Sequence, residues 1–278
     1  MYMLLGLKAS TDQRQIRDRL QYHPDVFEFH LTENDFTEAG WSHFVQMAAL
    51  VQSQVPTVVF HHPMRFRGQR NELAINPTKY STRYDFLMTS SVKLMNFAKK
   101  ANATALIHGG YRVDTPGDYA GWTDVGKAQD VALARMIAFA QEAPGHVVFE
   151  NSMSPIFRYG DPTFEDRLLR WHLPLAYDTS HTFIVLHGDN DRLMASLAHL
   201  KPLIRHYHLV DSMGQTHDSL PLGRGRIDWA RVLPLLNQDA SRIYEIGLKD
   251  QFDCREMIES HHYLESVAKR LAATKHPA

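Results

Sequence analysis

Short apolar runs punctuate this chain, and six of them, spread over more than 180 residues, stop at a histidine or a carboxylate. They read VVFHHP (58–63), ALIHGG (105–110), VVFENS (147–152), LAYDTSHT (175–182), HYHLVDS (206–212) and IYEIG (243–247). A strand of a few apolar residues that finishes in His, Asp or Glu is the pattern of a parallel barrel. There the C-terminal tips of the strands meet solvent and carry the chemistry. The pattern predicts strands at Met3–Leu7, Val26–Leu31, Thr57–His61, Thr104–His108, His146–Glu150, Leu175–Asp178, His206–Val210 and Arg242–Ile246. Glu28 and His30 alternate within the second strand and so share one face, which reads as the barrel mouth. Helices are expected over Thr11–Gln21 with Thr11 as N-cap, Gly40–Gln54, Tyr84–Ala101, Asp124–Ala143, Phe164–Arg170, Asp191–Leu200, Ile227–Leu236 and Glu256–Ala272. Residues 62–79 read as a long loop.

Strands that alternate with helices predict parallel pairing through right-handed crossovers. Eight such units favour closure into a (β/α)8 TIM barrel over an open sheet. A doubly wound sheet is the rival fold, but no G-x-G-x-x-G turn follows any early strand. The chain is read as a single α/β domain over residues 1–278, with a disordered tail from about residue 273. At 278 residues and 44% hydrophobic content it suits one barrel, for which roughly 250 residues is typical.

Charge and cysteine content narrow the setting. A formal net charge of −1 gives no bulk attraction to nucleic acid or to a membrane surface. The one cysteine, Cys254, cannot form an internal disulfide, which fits a reducing, cytoplasmic location. No apolar run approaches the roughly 20 residues of a membrane span. The opening MYMLLGLKASTDQRQ lacks a basic n-region and reads as the first strand, not as a signal peptide. What stands out is 17 histidines, many of them at strand ends.

The tightest candidate set is Glu150, Asp178, His208 and Glu245, on strands five to eight. Three carboxylates and one imidazole suit a divalent ion of intermediate hardness: manganese, cobalt, magnesium or zinc. Any one of these acids alone could cap a helix or pair with a rim Arg or Lys. Four on consecutive strands point to a cation, because burying several carboxylates together requires one. His61 and His108 end strands three and four. They either bind a second metal with Glu150 as bridge or hold substrate hydroxyls, and both readings stay open. His181, just beyond Asp178, faces substrate oxygen or another metal. One ion per chain is the primary expectation, two or three the alternative. His146, His172, His187, His199, His206, His261 and His262 read as surface or packing residues.

The loop after strand three carries Arg65, Arg67, Arg70, Lys79 and Arg83 with Phe66 and Tyr80. It reads as a solvated lid, a sugar-phosphate anchor or a clamp on a nucleic-acid backbone. Arg65 and Arg67 are its candidate substrate contacts, and in a near-neutral chain nucleic acid is the weaker partner. Trp122, after strand four, and Phe157, after strand five, either cover a sugar face or pack their loops.

Taken in order, H-x-P, I-H-G-G, V-F-E-N-S, D-T-S-H, H-L-V-D-S, L-G-R-G-R-I-D and Y-E-I resemble the xylose-isomerase-like TIM-barrel superfamily over residues 57–247. That superfamily includes sugar isomerases and epimerases and the zinc apurinic-site endonucleases of the endonuclease IV type. For its ketose 3-epimerases the resemblance implies metal ligands at Glu150, Asp178, His208 and Glu245, with His181 on the substrate. The two glutamates would form the acid–base pair. Those epimerases carry an arginine shortly after the strand-seven histidine, where this chain has Gly214-Gln215-Thr216. For the endonucleases the resemblance implies zinc ligands at His61, His108, Glu150, Asp178, His181, His208 and Glu245. Their third zinc also takes an Asp-x-His, where this chain has His217-Asp218-Ser219. There His217 or Asp218 would have to substitute.

The expected function is a divalent-metal-dependent isomerase or epimerase. It would act on a sugar or related hydroxy-carbonyl compound by proton transfer through an enediolate. Glu150, Glu245 and His181 are its expected catalytic residues. The alternatives are a zinc-dependent hydrolase, an apurinic-site phosphodiesterase among them, a metal-dependent lyase on the same site, or a barrel without catalysis. The resemblance further implies a homodimer or homotetramer.

Overall fold

A computed structural model describes residues 3–111 and 116–275 of the protein. Its central sheet has eight strands, Gly6–Ala9, Val26–His30, Thr57–His61, Thr104–His108, Val147–Glu150, Leu175–Asp178, Ile204–Leu209 and Ser241–Tyr244. They pair in chain order, every ladder parallel, as strands one to eight. Helices follow the strands on the outside, the longest being Ser81–Lys100, Val125–Glu142 and Arg255–Lys275. This is the single-domain (β/α)8 barrel expected from the alternation of runs. Among the described residues no helix is long and apolar enough to cross a membrane.

Closure depends on a glycine. No regular ladder joins strand eight to strand one among the described residues. Instead the backbones crowd together at Gly6, where an added Cβ would lie 1.7 Å from the Arg242 carbonyl oxygen. Any residue larger than glycine would force the seam apart.

Two apolar cores result. The larger lies between sheet and helices, and a small separate cluster of Val59, Leu106, Val148 and Ala176 fills the barrel interior on strands three to six. Side chains two positions apart on a strand share a face. Two residues further along these four strands, the same inward face therefore presents His61, His108, Glu150 and Asp178, all buried. On the opposite wall the interior is polar: Glu28 of strand two meets His206 and His208 of strand seven.

Several element boundaries differ from the expectation. Strand one begins at Gly6, not Met3, because pairing with strand two sets its register from Gly6 opposite Val26. That shift brings Lys8 into the strand. The first helix is capped by Asp12, whose carboxylate accepts from Arg14 N and Gln15 N, while the Thr11 hydroxyl donates to Asp35. The loop at 62–79 contains a two-stranded hairpin, Arg65–Phe66 with Gln69–Arg70. An unexpected helix, Thr179–Val185, follows strand six directly. The helix expected at 227–236 is the single turn Trp229–Val232 plus a 3-10 turn, since Pro234 has no amide to donate. Strand eight ends at Tyr244, which leaves Glu245 just past its tip. The closing helix runs to Lys275, beyond the expected start of the tail, and residues 276–278 lie outside the described residues.

The loop after strand seven is held by one buried carboxylate. Asp211 accepts hydrogen bonds from the amides of Ser212, Gly223 and Ile227 and from the Trp229 indole. The L-G-R-G-R-I-D turn thus wraps around a single side chain. Asp211→Ala would strand several buried donors and is expected to cost about 3 kcal/mol or more. A lowered midpoint in thermal or denaturant unfolding checks this.

Candidate metal centre

Glu150 is the hub of the barrel mouth. It is fully buried, and three imidazoles from three strands close on it. His61 Nε2 lies 3.3 Å and His108 Nε2 3.0 Å from Glu150 Oε2, and His208 Nδ1 lies 3.1 Å from Oε1. The His61 ring is aimed by its other nitrogen, Nδ1, which donates to the His62 carbonyl at 2.9 Å. The His108 ring packs on Tyr111, centroids 4.3 Å apart.

Asp178 ends strand six and caps the helix that follows, with Oδ1 accepting from His181 N at 2.7 Å and from Ser180 Oγ at 2.8 Å. That cap explains the D-T-S-H spacing. It turns His181 back over the mouth, where its Nδ1 donates to the Asn151 carbonyl at 2.9 Å. Its Nε2 lies 3.0 Å from Nε2 of His217, with the two rings stacked. Asn151 also steadies strand six, accepting from Asp178 N at 2.8 Å. Glu245 is the most open of the four acids, with its side chain 26% exposed. One oxygen contacts His208 Nδ1 and the other accepts from Lys8.

The structure therefore brings together Glu150, Asp178, His208 and Glu245, with their ligand atoms within 4.8 Å of one another. His61, His108 and Glu150 form a second such group. A cleft of about 350 Å³ opens above them, bounded by His108, Glu150, Asp178, His181, His217 and Glu245. A neighbouring lobe of about 270 Å³, over Lys8 and His30, shares Met64, Glu245 and Ile246 with it.

Electrostatics bear on what the mouth can hold. Glu28, Glu150, Asp178 and Glu245 are four carboxylates, against the single ammonium of Lys8. The His208 ring and Arg70 at the cleft edge add positive charge, and the carboxylates still outnumber it. Burial alone would push Glu150 up, but the charges of His108 and His208 hold it well below the usual carboxylate range. Burial acts on Glu245 in the same sense and is overcome by His208 and Lys8, so it too stays ionised. For His208, burial favours the neutral ring, yet Glu150, Glu245 and Glu28 around it raise its pKa well above the ordinary value. The cluster draws positive charge. His61 Nε2 and Glu150 Oε2 are buried, close together and without a hydrogen-bond partner, as donors converging on a common point would be. These residues fit a divalent cation.

Arg65, Arg67 and Trp122, candidates for substrate contact, do not line the cleft. Arg65 donates to Gly68 O within the exposed hairpin, and Arg67 lies over the Phe66 ring. Trp122 is tied down by its indole, which donates to Ala74 O at 2.7 Å. Phe157 is buried among Tyr159 and Phe164. From the same long loop, Met64 and Arg70 line the cleft instead. His62 is a packing residue, bonded to Ser90 Oγ and kept neutral by burial, with its pKa lowered to about 3. His206, expected at the surface or in packing, lies in the barrel interior on Glu28. Lys8 and Glu28 are not among the expected site residues. Glu28 carries a signal, a charged residue alternating with His30 inside an apolar strand. Lys8 carries none.

Fold and site together place the chain in the class of (β/α)8 barrels that gather carboxylates and imidazoles at the C-terminal strand ends. Within that class it belongs to the xylose isomerase-like TIM barrel family, whose model matches residues 25–251. No curated protein matches the chain in sequence. Among solved structures, a D-tagatose 3-epimerase-like protein superposes with a TM-score of 0.69 at 16% identity, covering 99% of this chain and 100% of that one. D-psicose 3-epimerase from Clostridium cellulolyticum, solved with D-tagatose, gives 0.67 at 14% identity over 95% and 99%. A protein from Thermus thermophilus, soaked with ZnCl2, gives 0.66 at 17% identity over 96% and 99%. At these identities the likeness is one of fold.

Proposed function

We propose that the protein is a divalent-metal-dependent isomerase or epimerase of a sugar or related hydroxy-carbonyl compound, working through an enediolate. The observation that carries this reading is the convergence of Glu150 and Glu245 on one atom, His208 Nδ1, with both residues lining one cleft. An ion held by Glu150, Asp178, His208 and Glu245 would stabilise the negative charge that develops on substrate oxygen. Glu245, ionised and partly open, is placed to take a proton from the substrate carbon. Glu150, the other glutamate lining the cleft, would exchange one on the opposite face of the substrate, and the two together would give epimerisation. His181, fixed by the Asp178 cap and Asn151, would orient a substrate hydroxyl through Nε2, the atom that here contacts His217 Nε2. The sugar-epimerase neighbours support the substrate class.

A test uses the protein reloaded with Mn2+, Co2+, Mg2+ or Zn2+ in D2O and offered free and phosphorylated ketopentoses and ketohexoses. Deuterium is expected to enter one carbon of at least one sugar, read by mass spectrometry. No incorporation with any ion would remove the reading. One observation favours a second reading: His61 and His108 both point at Glu150 Oε2, which suits a two-ion site and zinc-dependent phosphodiester hydrolysis. Two zinc ions per chain together with cleavage of abasic-site DNA would select it.

A further inference from the structure

Beneath the ligand cluster, Glu28 reaches in from strand two and is fully buried. Its Oε2 accepts from His208 Nε2 at 2.9 Å and from His206 Nε2 at 3.0 Å. His206 is anchored in turn, its Nδ1 lying 2.6 Å from Ser241 Oγ. The other oxygen, Oε1, lies 3.4 Å from Lys8 Nζ, and Lys8 donates to Glu245. Strands three to six fill the interior with Val59, Leu106, Val148 and Ala176, so packing by itself does not call for a charged group there.

We propose that Glu28 and His206 are positioning residues for the cation site. Through one oxygen Glu28 pins the His208 ring with Nδ1 turned toward Glu150 and Glu245. Through the other it steadies the Lys8 ammonium that holds Glu245. One carboxylate from strand two thus sets two of the four ligands, on strands seven and eight.

The chemistry is that of an outer partner on a ligating histidine. An imidazole can offer either nitrogen, and the nitrogen left free is decided by the bond the other makes. With Nε2–H donated to Glu28, the Nδ1 lone pair is the one available to an ion. The second donor, His206, holds the same oxygen in one place. Glu28, His206 and His208 also lie close enough to share an ion, but in this structure Glu28 Oε2 accepts from both rings at the ordinary hydrogen-bond lengths of 2.9 and 3.0 Å.

This inference rests on reading the mouth as a cation site, and the test separates the two. Zn2+ is titrated into chelator-stripped wild type and Glu28→Gln against a chromophoric competitor. The variant keeps the side chain's size and is expected to bind Zn2+ about 10–100-fold more weakly, with an unchanged circular dichroism spectrum. In zinc-loaded wild type with 15N-labelled histidine, long-range 1H–15N correlation is expected to show His208 with Nε2 protonated and Nδ1 on zinc. Wild type that takes up no Zn2+ removes the cation reading itself and this inference with it. A folded Glu28→Gln protein of wild-type affinity, or His208 bound through Nε2, overturns the positioning role alone. If the variant does not fold, the wild-type spectrum decides.

Discussion

Glu245→Gln is expected to stop solvent deuterium from entering the substrate carbon, lowering turnover by about 10²–10⁴-fold, the usual contribution of a general base. The substitution is nearly isosteric and keeps an oxygen that can still accept from Lys8. What it removes is the negative charge that His208 and Lys8 hold on this side chain. Because Glu245 would also face a bound ion, metal content of the variant is measured alongside and the exchange assay is run at saturating metal. Undiminished incorporation would take Glu245 out of the base role, whatever its part in ion binding.

Glu150→Ala is expected to have the widest effect of any single change in the mouth. Two of the four candidate ligand groups share Glu150, the strand-tip set and the set with His61 and His108, so its loss opens both. Retained metal, counted by plasma mass spectrometry after desalting, should fall to background. Stability should fall as well, because His61, His108 and His208 lose the buried carboxylate that all three approach. Breaking a buried pair from one side costs about 3–5 kcal/mol. A protein that unfolds at the wild-type temperature and keeps its ion would contradict the account of the site.

Strands three, four and six are legible in the sequence to the residue. In each, an apolar run ends in a His or Asp and is stopped at once, by His62-Pro63, by Gly109-Gly110 or by a helix cap. That local punctuation also exposes Glu150, Asp178, His208 and Glu245. Strand one is harder, since MYMLLGL is apolar before the strand begins and only pairing with strand two fixes its limits. The helix Thr179–Val185 is hidden by its β-branched Thr, Ile and Val residues, weak helix formers carried here by the Asp178 cap. Alternation with His30 puts Glu28 on one strand face, but what Lys8, Glu28 and His206 meet cannot be read from spacing. Their partners lie 237, 180 and 178 positions away, and only the closed cylinder brings those distances down to a hydrogen bond.

The seam between the first and last strands, without a ladder, is spanned at the mouth by the Lys8–Glu245 ion pair and tightened lower down at Gly6. The contact that orients Glu245 at the rim is therefore also a clasp on the hoop. Under the proposed function, retuning Glu245 through Lys8 would loosen the staves as well, so this corner would have little freedom to drift: mechanical upkeep and chemical duty would fall on the same two side chains.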